Sequence, residues 1–275
     1  MTDAPEKLVT YSTDENIGIV TLNRPDKLNA ISKELRAELI DAFHAAEDDE
    51  STSVVVLRGA GRSFCVGYDI NANDPTRESW RHDALKYHAR LSAGVAMEMM
   101  PWYMRKPVIA SVQGHALGGG CELAMFCDIT IAADNTMFGE PEIRFSQVGP
   151  GIIMPWIIGY KKARELLYLG DMIDAPTALS LGMVNRVVPA AELPDATMKF
   201  ARRMALIAPE ALYAAKLSIN RGADASGFRN AMQAGVDIVA PLYAATTAPQ
   251  RQFDELKARE GFGAALKWRT GQFKE

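Results

Sequence analysis

Cysteine is scarce in this 275-residue chain, and both a long apolar run and a basic excess are missing. The three cysteines, Cys65, Cys121 and Cys127, are odd in number and show no CxxC spacing, which fits buried thiols in a reducing compartment rather than a disulfide scaffold. No stretch is long enough to cross a bilayer. The start, MTDAPEKLVT, has neither the basic-then-apolar layout of a secretory signal nor the Arg-rich character of a transit peptide, so a cytoplasmic location is expected. A formal net charge of -4 offers no general attraction to phosphate backbones, so no nucleic acid and no membrane are expected as partners. Several catalytic signatures are also lacking. No GK[ST] follows a glycine run, the GxGxxG order is absent, and no GxSxG elbow occurs. His44, His82, His88 and His115 form no metal-ligand pattern, and only His115 lies close to a glycine motif.

What is present is enough apolar sequence, 48%, for a large core in one domain with an appendage. Residues 7–12 and 17–23 have strand character around the polar turn 13–16 and read as a hairpin. From Ser32, a suitable N-cap, Leu35, Leu39 and Phe43 recur four apart, as an amphipathic helix requires. The continuous apolar runs 54–57 and 107–112 read as strands buried on both faces of a sheet. Between them the polar segment NANDPTRESWRHD, 71–83, reads as an exposed loop or lid, or equally as a plain surface connection. A helical stretch with Leu85, Leu91, Val95 and Met99 follows, ended or kinked by Pro101. Met97, Met99, Met100 and Met104 suit core packing better than an acyl pocket, although thioethers serve either use. Residues 121–127 suggest a helix, and 129–133 and 184–188 suggest strands. This alternation predicts an α/β fold with a largely parallel sheet over residues 1–190. Segments starting near Ala191, Pro209, Asp224 and Gln250 make 191–275 helical.

The chemistry concentrates in KPVIASVQGHALGGGCELAMFCD, residues 106–128. A buried strand runs through Gly118-Gly119-Gly120 into a helix, so uncovered backbone amides point outward and form a site for an anion or oxyanion. A tight turn that merely needs glycine is the competing reading. Glu122 follows in the first turn of an apolar helix. It is either a favourable partner of the helix dipole or a buried carboxyl whose pKa is raised toward values useful in proton transfer. FGEPEIRF supplies two further acids, Glu140 and Glu142, on a turn stiffened by Pro141, and spacing alone does not choose between them.

In content and order, LNRPDKLNA, RSFCVGYDI, KPVIASVQGHALGGGCELAMFCDI, FGEPEIRF and LGDMIDAPTALSLGMVNRVVP resemble the enoyl-CoA hydratase/isomerase (crotonase) family over residues 22–189, with a weaker echo at the C-terminus. The resemblance implies a crotonase-like spiral of ββα units, an acyl-CoA-binding catalytic core over 1–190, and a helical trimerisation region over 191–275. A homotrimer or dimer of trimers is expected, acting on coenzyme A thioesters of fatty acid metabolism. Carried over position by position, the N–H groups of Tyr68 and Gly119 hold the thioester oxygen, and Glu122 and Glu142 are the catalytic carboxylates. Lys27, Leu28, Val66, Asp69 and Ile70 receive coenzyme A. No metal or redox cofactor is implied. The expected reaction is reversible syn addition of water to a 2-enoyl-CoA. Double-bond isomerisation, dehydration of a carnitinyl-type thioester, and a noncatalytic RNA- or acyl-CoA-binding role are the alternatives.

The sequence departs from the family in two places. After Glu142 it reads SQVGPGIIMPW, where family hydratases usually have a longer, glycine-richer turn that helps hold the water. In the closing segment Ala265 and Trp268 replace the usual Phe and Lys that touch coenzyme A, with Lys267 or Arg269 as candidate substitutes.

Overall fold

The computed structural model describes residues 7–70, 76 and 79–273. Most of the expected loop or lid, 71–75, 77 and 78, lies outside the described residues, as do the first six residues. The chain opens with β1 (Val9–Asp14) and β2 (Ile17–Leu22), an antiparallel hairpin. Its turn is tighter than expected, because the strand runs on through Asp14 and Glu15 takes a positive φ of 55°. Helix α1 (Lys33–Asp48) begins where Ser32 accepts a hydrogen bond from Leu35 N, and it buries Leu35, Leu39 and Phe43. Strand β3 (Val54–Gly59) follows, then α2 (Ala84–Glu98) and α3 (Met100–Tyr103), with Pro101 in the first turn of α3.

Next come β4 (Val108–Val112), β5 (His115–Leu117) and α4 (Gly119–Phe126), then β6 (Ile129–Ala133), β7 (Met137–Gly139) and a 3-10 turn, Pro141–Phe145. Helices α5 (Met154–Ile158) and α6 (Tyr160–Leu169) lead to β8 (Ile173–Asp174), α7 (Ala175–Ser180) and β9 (Arg186–Val188). The remainder is helical: α8 (Leu193–Met204), α9 (Pro209–Ala225), α10 (Phe228–Ala245), α11 (Ala248–Glu260) and α12 (Phe262–Gly271). This corrects the expected four-helix division. The segment expected to start near Asp224 begins at Phe228, after Gly227 in the left-handed region, while Gly261, also at positive φ, separates a fifth helix.

The strands form two sheets. The larger has the order β1-β2-β3-β4-β6-β9, parallel from β2 onward, and the smaller has the order β5-β7-β8. The chain therefore visits the large sheet, crosses to the small one and returns through a helix, as in β4-β5-α4. Period-2 alternation divides the large sheet's side chains between two cores. Ile17, Val54, Ile109 and Ile131 face α8, where Leu193 and Ala201 cover them. Val20, Val55, Leu57, Ala110 and Ala132 face the other way, toward α1 and α4. All three cysteines are free and buried. Met97, Met99 and Met104 are buried in the main core, with Met100 packed against it. No helix among the described residues is long and apolar enough to cross a membrane.

Candidate active site

The loop after β3 is held against two neighbours by its backbone. Ile31 N donates to Gly67 O at 2.8 Å and Asp69 N to Ile31 O at 3.1 Å, while Leu117 N donates to Cys65 O at 3.0 Å. These bonds seat the VGYD turn beside the glycine triplet. The approach is close enough that a β-carbon on Gly67 would lie 3.3 Å from Gly119 N. Gly118, with φ 51° and ψ -130°, adopts a conformation that side chains rarely tolerate, and it turns β5 into α4. Among the described residues, neither Tyr68 N nor Gly119 N donates to a protein acceptor. The sequence reading placed both donors here, and the structure brings them together.

Four glutamates converge behind these amides. Glu122 is buried on α4, Glu140 follows β7 and precedes the 3-10 turn, Glu142 sits in that turn, and Glu98 ends α2 with no exposed surface. A β-carbon on Gly118 would meet both Glu142 carboxyl oxygens at 3.2 Å. One on Gly149 would meet Glu122 Oε1 at 2.5 Å and Glu140 Oε2 at 2.9 Å. Among the described residues, both Glu122 oxygens, Glu98 Oε2 and Glu140 Oε1 lack hydrogen-bond partners. Burial, partly offset by the residue's own N–H, pushes the Glu142 carboxyl up to about 7. Burial also pushes Glu98 to about 8, with the charge of Glu142 adding and the Tyr68 hydrogen bond opposing. Glu122 and Glu140 rise well above the usual carboxyl range, first through burial and then through their acidic neighbours. Crowding of this kind holds protons to higher pH than in solvated carboxyls, and the values of about 7 and about 8 for Glu142 and Glu98 suit general acid-base work.

Glu98 was not singled out in the sequence. Its signal was a lone charge in the apolar run MEMM, spaced so that Leu91, Val95 and Glu98 fall on one helix face. Tyr243, on α10, was also missed. Its hydroxyl donates to Val148 O at 3.2 Å, and burial followed by the charges of Glu142 and Glu122 holds it well above the usual tyrosine range. Glu140, which spacing alone could not separate from Glu142, is buried in the same cluster rather than turned away from it. His115 is exposed, with Nδ1 3.3 Å from Ser63 Oγ, and stands outside the carboxyl cluster.

The residues expected to receive coenzyme A belong to two loops that are bonded to each other. Lys27 is exposed in the 3-10 turn Pro25–Lys27, and Leu28 follows in the left-handed region with its carbonyl accepting from Val66 N at 3.2 Å. Ile70 is half exposed. Asp69 is engaged by Arg24 at 2.8 Å, so its carboxylate fastens the two loops. In the closing segment Ala265 is buried and Trp268 packs with Phe145 and Phe253, which folds α11 and α12 against the Glu142 turn of the same chain. Lys267 is exposed, whereas Arg269 bonds to the Arg144 carbonyl.

Comparison with known proteins agrees with this fold. A relative from Mycobacterium tuberculosis, named a probable enoyl-CoA hydratase, is 33% identical over 96% of this chain and 99% of its own. The crystal structure of an enoyl-CoA hydratase/isomerase from Xanthobacter autotrophicus superposes with a TM-score of 0.92 at 33% identity, covering 98% of this chain and 99% of that one. An enoyl-CoA hydratase from Mycobacterium smegmatis gives 0.88 at 25% identity, covering 96% and 93%. Residues 12–252 match the enoyl-CoA hydratase/isomerase family as a whole. With the alternating two-sheet fold and the glycine triplet set against the VGYD turn, the chain belongs to the enoyl-CoA hydratase/isomerase family.

Proposed function

We propose that this protein catalyses reversible syn hydration of a 2-enoyl-CoA to the 3-hydroxyacyl-CoA. The observation that carries the reading is the convergence of two amides without acceptors among the described residues, Tyr68 N–H and Gly119 N–H, beside the buried Glu122 and the partly buried Glu142. Addition of water at carbon 3 moves an electron pair onto the thioester oxygen. Donors fixed around that oxygen stabilise the enolate-like transition state more than the ground state, each by about 3 kcal/mol. Glu122 positions the water and takes its proton as the C3–O bond forms. Glu142, protonated, delivers a proton to carbon 2 as the enolate collapses. A proton acceptor and a proton donor are thereby supplied by carboxyls in different protonation states. The chemistry requires no metal and no redox cofactor.

Retention of two acids beside the oxyanion site favours water chemistry over simple double-bond isomerisation. The group Lys27, Leu28, Val66, Asp69 and Ile70 is the proposed coenzyme A contact. A homotrimer or dimer of trimers is the proposed assembly, with residues 191–275 as its contact region. Ile219 and Ile238, 70% and 75% exposed on α9 and α10, are apolar surface that such an assembly would cover. The test is a panel of enoyl-CoA thioesters followed by loss of the conjugated-thioester absorbance. Turnover of any member supports the hydratase reading, and no turnover across the panel refutes it.

A further inference from the structure

Glu98 is a fully buried carboxyl of the cluster that lies outside the motifs of the family resemblance, and the surrounding residues are shaped around it. Its Oε1 accepts the Tyr68 hydroxyl at 2.7 Å. The phenol is seated between two glycines: a β-carbon on Gly94 would lie 2.6 Å from the hydroxyl oxygen, and one on Gly119 would lie 2.7 Å from Tyr68 Cε2 and 2.8 Å from Glu98 Oε1. Gly94 stands one helical turn before Glu98, so α2 provides both the gap for the ring and the acceptor for its hydroxyl. The second oxygen, Oε2, has no partner among the described residues and turns toward Glu122. A β-carbon on Gly151 would lie 3.4 Å from Glu98 Oε2 and 3.4 Å from Glu122 Oε1. An unpaired carboxyl in this setting is costly, and the neighbouring Met97 and Met99 show that apolar side chains fit the end of this helix.

We propose that Glu98 is a positioning residue of the active site, clamped at one oxygen by Tyr68 and using the other to control the ionisation of Glu122. This rests on the hydratase reading of the same site. Glu98 ties the turn that carries one oxyanion donor to the carboxyl that handles the water. The groups facing the pair are Glu142 and Glu140 from the β7 turn, Tyr243 from α10 and Arg36 from α1. Two adjacent buried carboxyls do not both ionise readily: while Glu98 holds its proton, Glu122 can ionise and take the proton of the water, whereas charge on Glu98 raises the pH at which Glu122 ionises, so removing that charge lowers it.

The test uses the full-length protein and the variants Glu98→Gln, Glu98→Asp, Tyr68→Phe and Glu122→Gln. The protonated-carboxyl infrared band that disappears in Glu122→Gln reports Glu122 whether or not any substrate turns over. In Glu98→Gln its titration midpoint should fall by about half a pH unit or more. With crotonyl-CoA as probe, Glu98→Gln should move the acid limb of the pH–kcat profile the same way, with KM within about threefold. Glu98→Asp should restore the midpoint in part, and Tyr68→Phe should move it less than Glu98→Gln. An unmoved Glu122 midpoint in folded Glu98→Gln overturns the proposal, even if kcat falls. Absence of turnover in the unmodified protein counts against the hydratase reading, while the infrared result still decides the role of Glu98.

Discussion

Gly149 and Glu122 are packed so closely that a methyl group on the glycine would fall 2.5 Å from Glu122 Oε1. The turn after Glu142 therefore lays bare backbone directly over the carboxyl proposed to handle the water. Gly149→Ala must displace either the turn or the carboxyl. Overpacking of this kind costs about 1–3 kcal/mol of stability, and the displaced acid should lower kcat for crotonyl-CoA at least about tenfold. Steady-state kinetics beside thermal unfolding checks this. Unchanged kcat would show that the position of Glu122 is not critical.

Glu142→Gln keeps the shape of the side chain beside Gly118 and removes its titrating proton. Hydration should fall about 100- to 10,000-fold, while affinity for a saturated acyl-CoA stays near its original value. Isothermal titration with butyryl-CoA beside the absorbance assay separates the two quantities. Glu140→Gln is the comparison at a neighbouring acid. Because Glu140 is buried in the same cluster, a modest rate loss is expected from it, well short of that of Glu142→Gln.

Local chemistry made part of this site readable in advance. Ser32 caps α1 through a bond three residues away, and Gly118 turns a strand into a helix within one peptide, so both were legible from neighbouring residues. The convergence of Tyr68 with Gly119 was available only through resemblance to a family, because 51 positions of chain separate them. Glu98 stayed hidden for the same physical reason: its partner Tyr68 is 30 residues away, and a lone acid at the end of a helix reads as solvated until that partner is in place. The small sheet was also invisible. Strands of two or three residues, such as β8 and β5, are too short to show a period.

Tyr68→Ala keeps the backbone donor and removes the ring that covers Gly119. The hydroxyl end of the ring is buried against Glu98, yet the residue as a whole is 37% exposed, so the ring borders both the carboxyl cluster and the open side of the site. Relative rates on longer enoyl-CoA substrates should rise about threefold or more over the short ones, within the range that a few methylenes contribute in a pocket. A chain-length panel measures this. Constant relative rates would restrict Tyr68 to its backbone N–H and its bond to Glu98.

Lys216 anchors α9 to the core through three acceptors: Pro101 O at 2.6 Å, Asp128 Oδ2 at 2.8 Å and Lys106 O at 3.1 Å. Asp128 in turn accepts from Val108 N, the first residue of β4. Lys216→Met should destabilise the protein by about 1–3 kcal/mol, because it removes the three hydrogen bonds of a buried ammonium and leaves Asp128, whose side chain is 23% exposed, without its counter-charge. The double variant Lys216→Met with Asp128→Asn should recover part of that loss. Denaturant unfolding of the two variants at equal protomer concentration gives the coupling directly.

The carboxyl cluster also fixes how stability responds to pH. Glu142 and Glu98 are raised to about 7 and about 8 in the folded protein, so the native state holds protons that the unfolded chain releases nearer the ordinary carboxyl pKa of about 4.3. When the native state binds more protons, stability falls as pH rises. The contribution of these groups is complete below the unfolded pKa and is lost as pH climbs through their folded values. While one such proton separates the two states, the slope approaches about 1.4 kcal/mol per pH unit. The thermal midpoint should therefore decline between about pH 5 and pH 8. Glu98→Gln and Glu142→Gln should each flatten the decline, since a neutral amide carries no linked proton. Thermal unfolding across that range, at constant ionic strength and protomer concentration, is the measurement. A midpoint that rises with pH in the unmodified protein, or variants whose slope matches it, would show that these carboxyls do not hold their protons in the folded state.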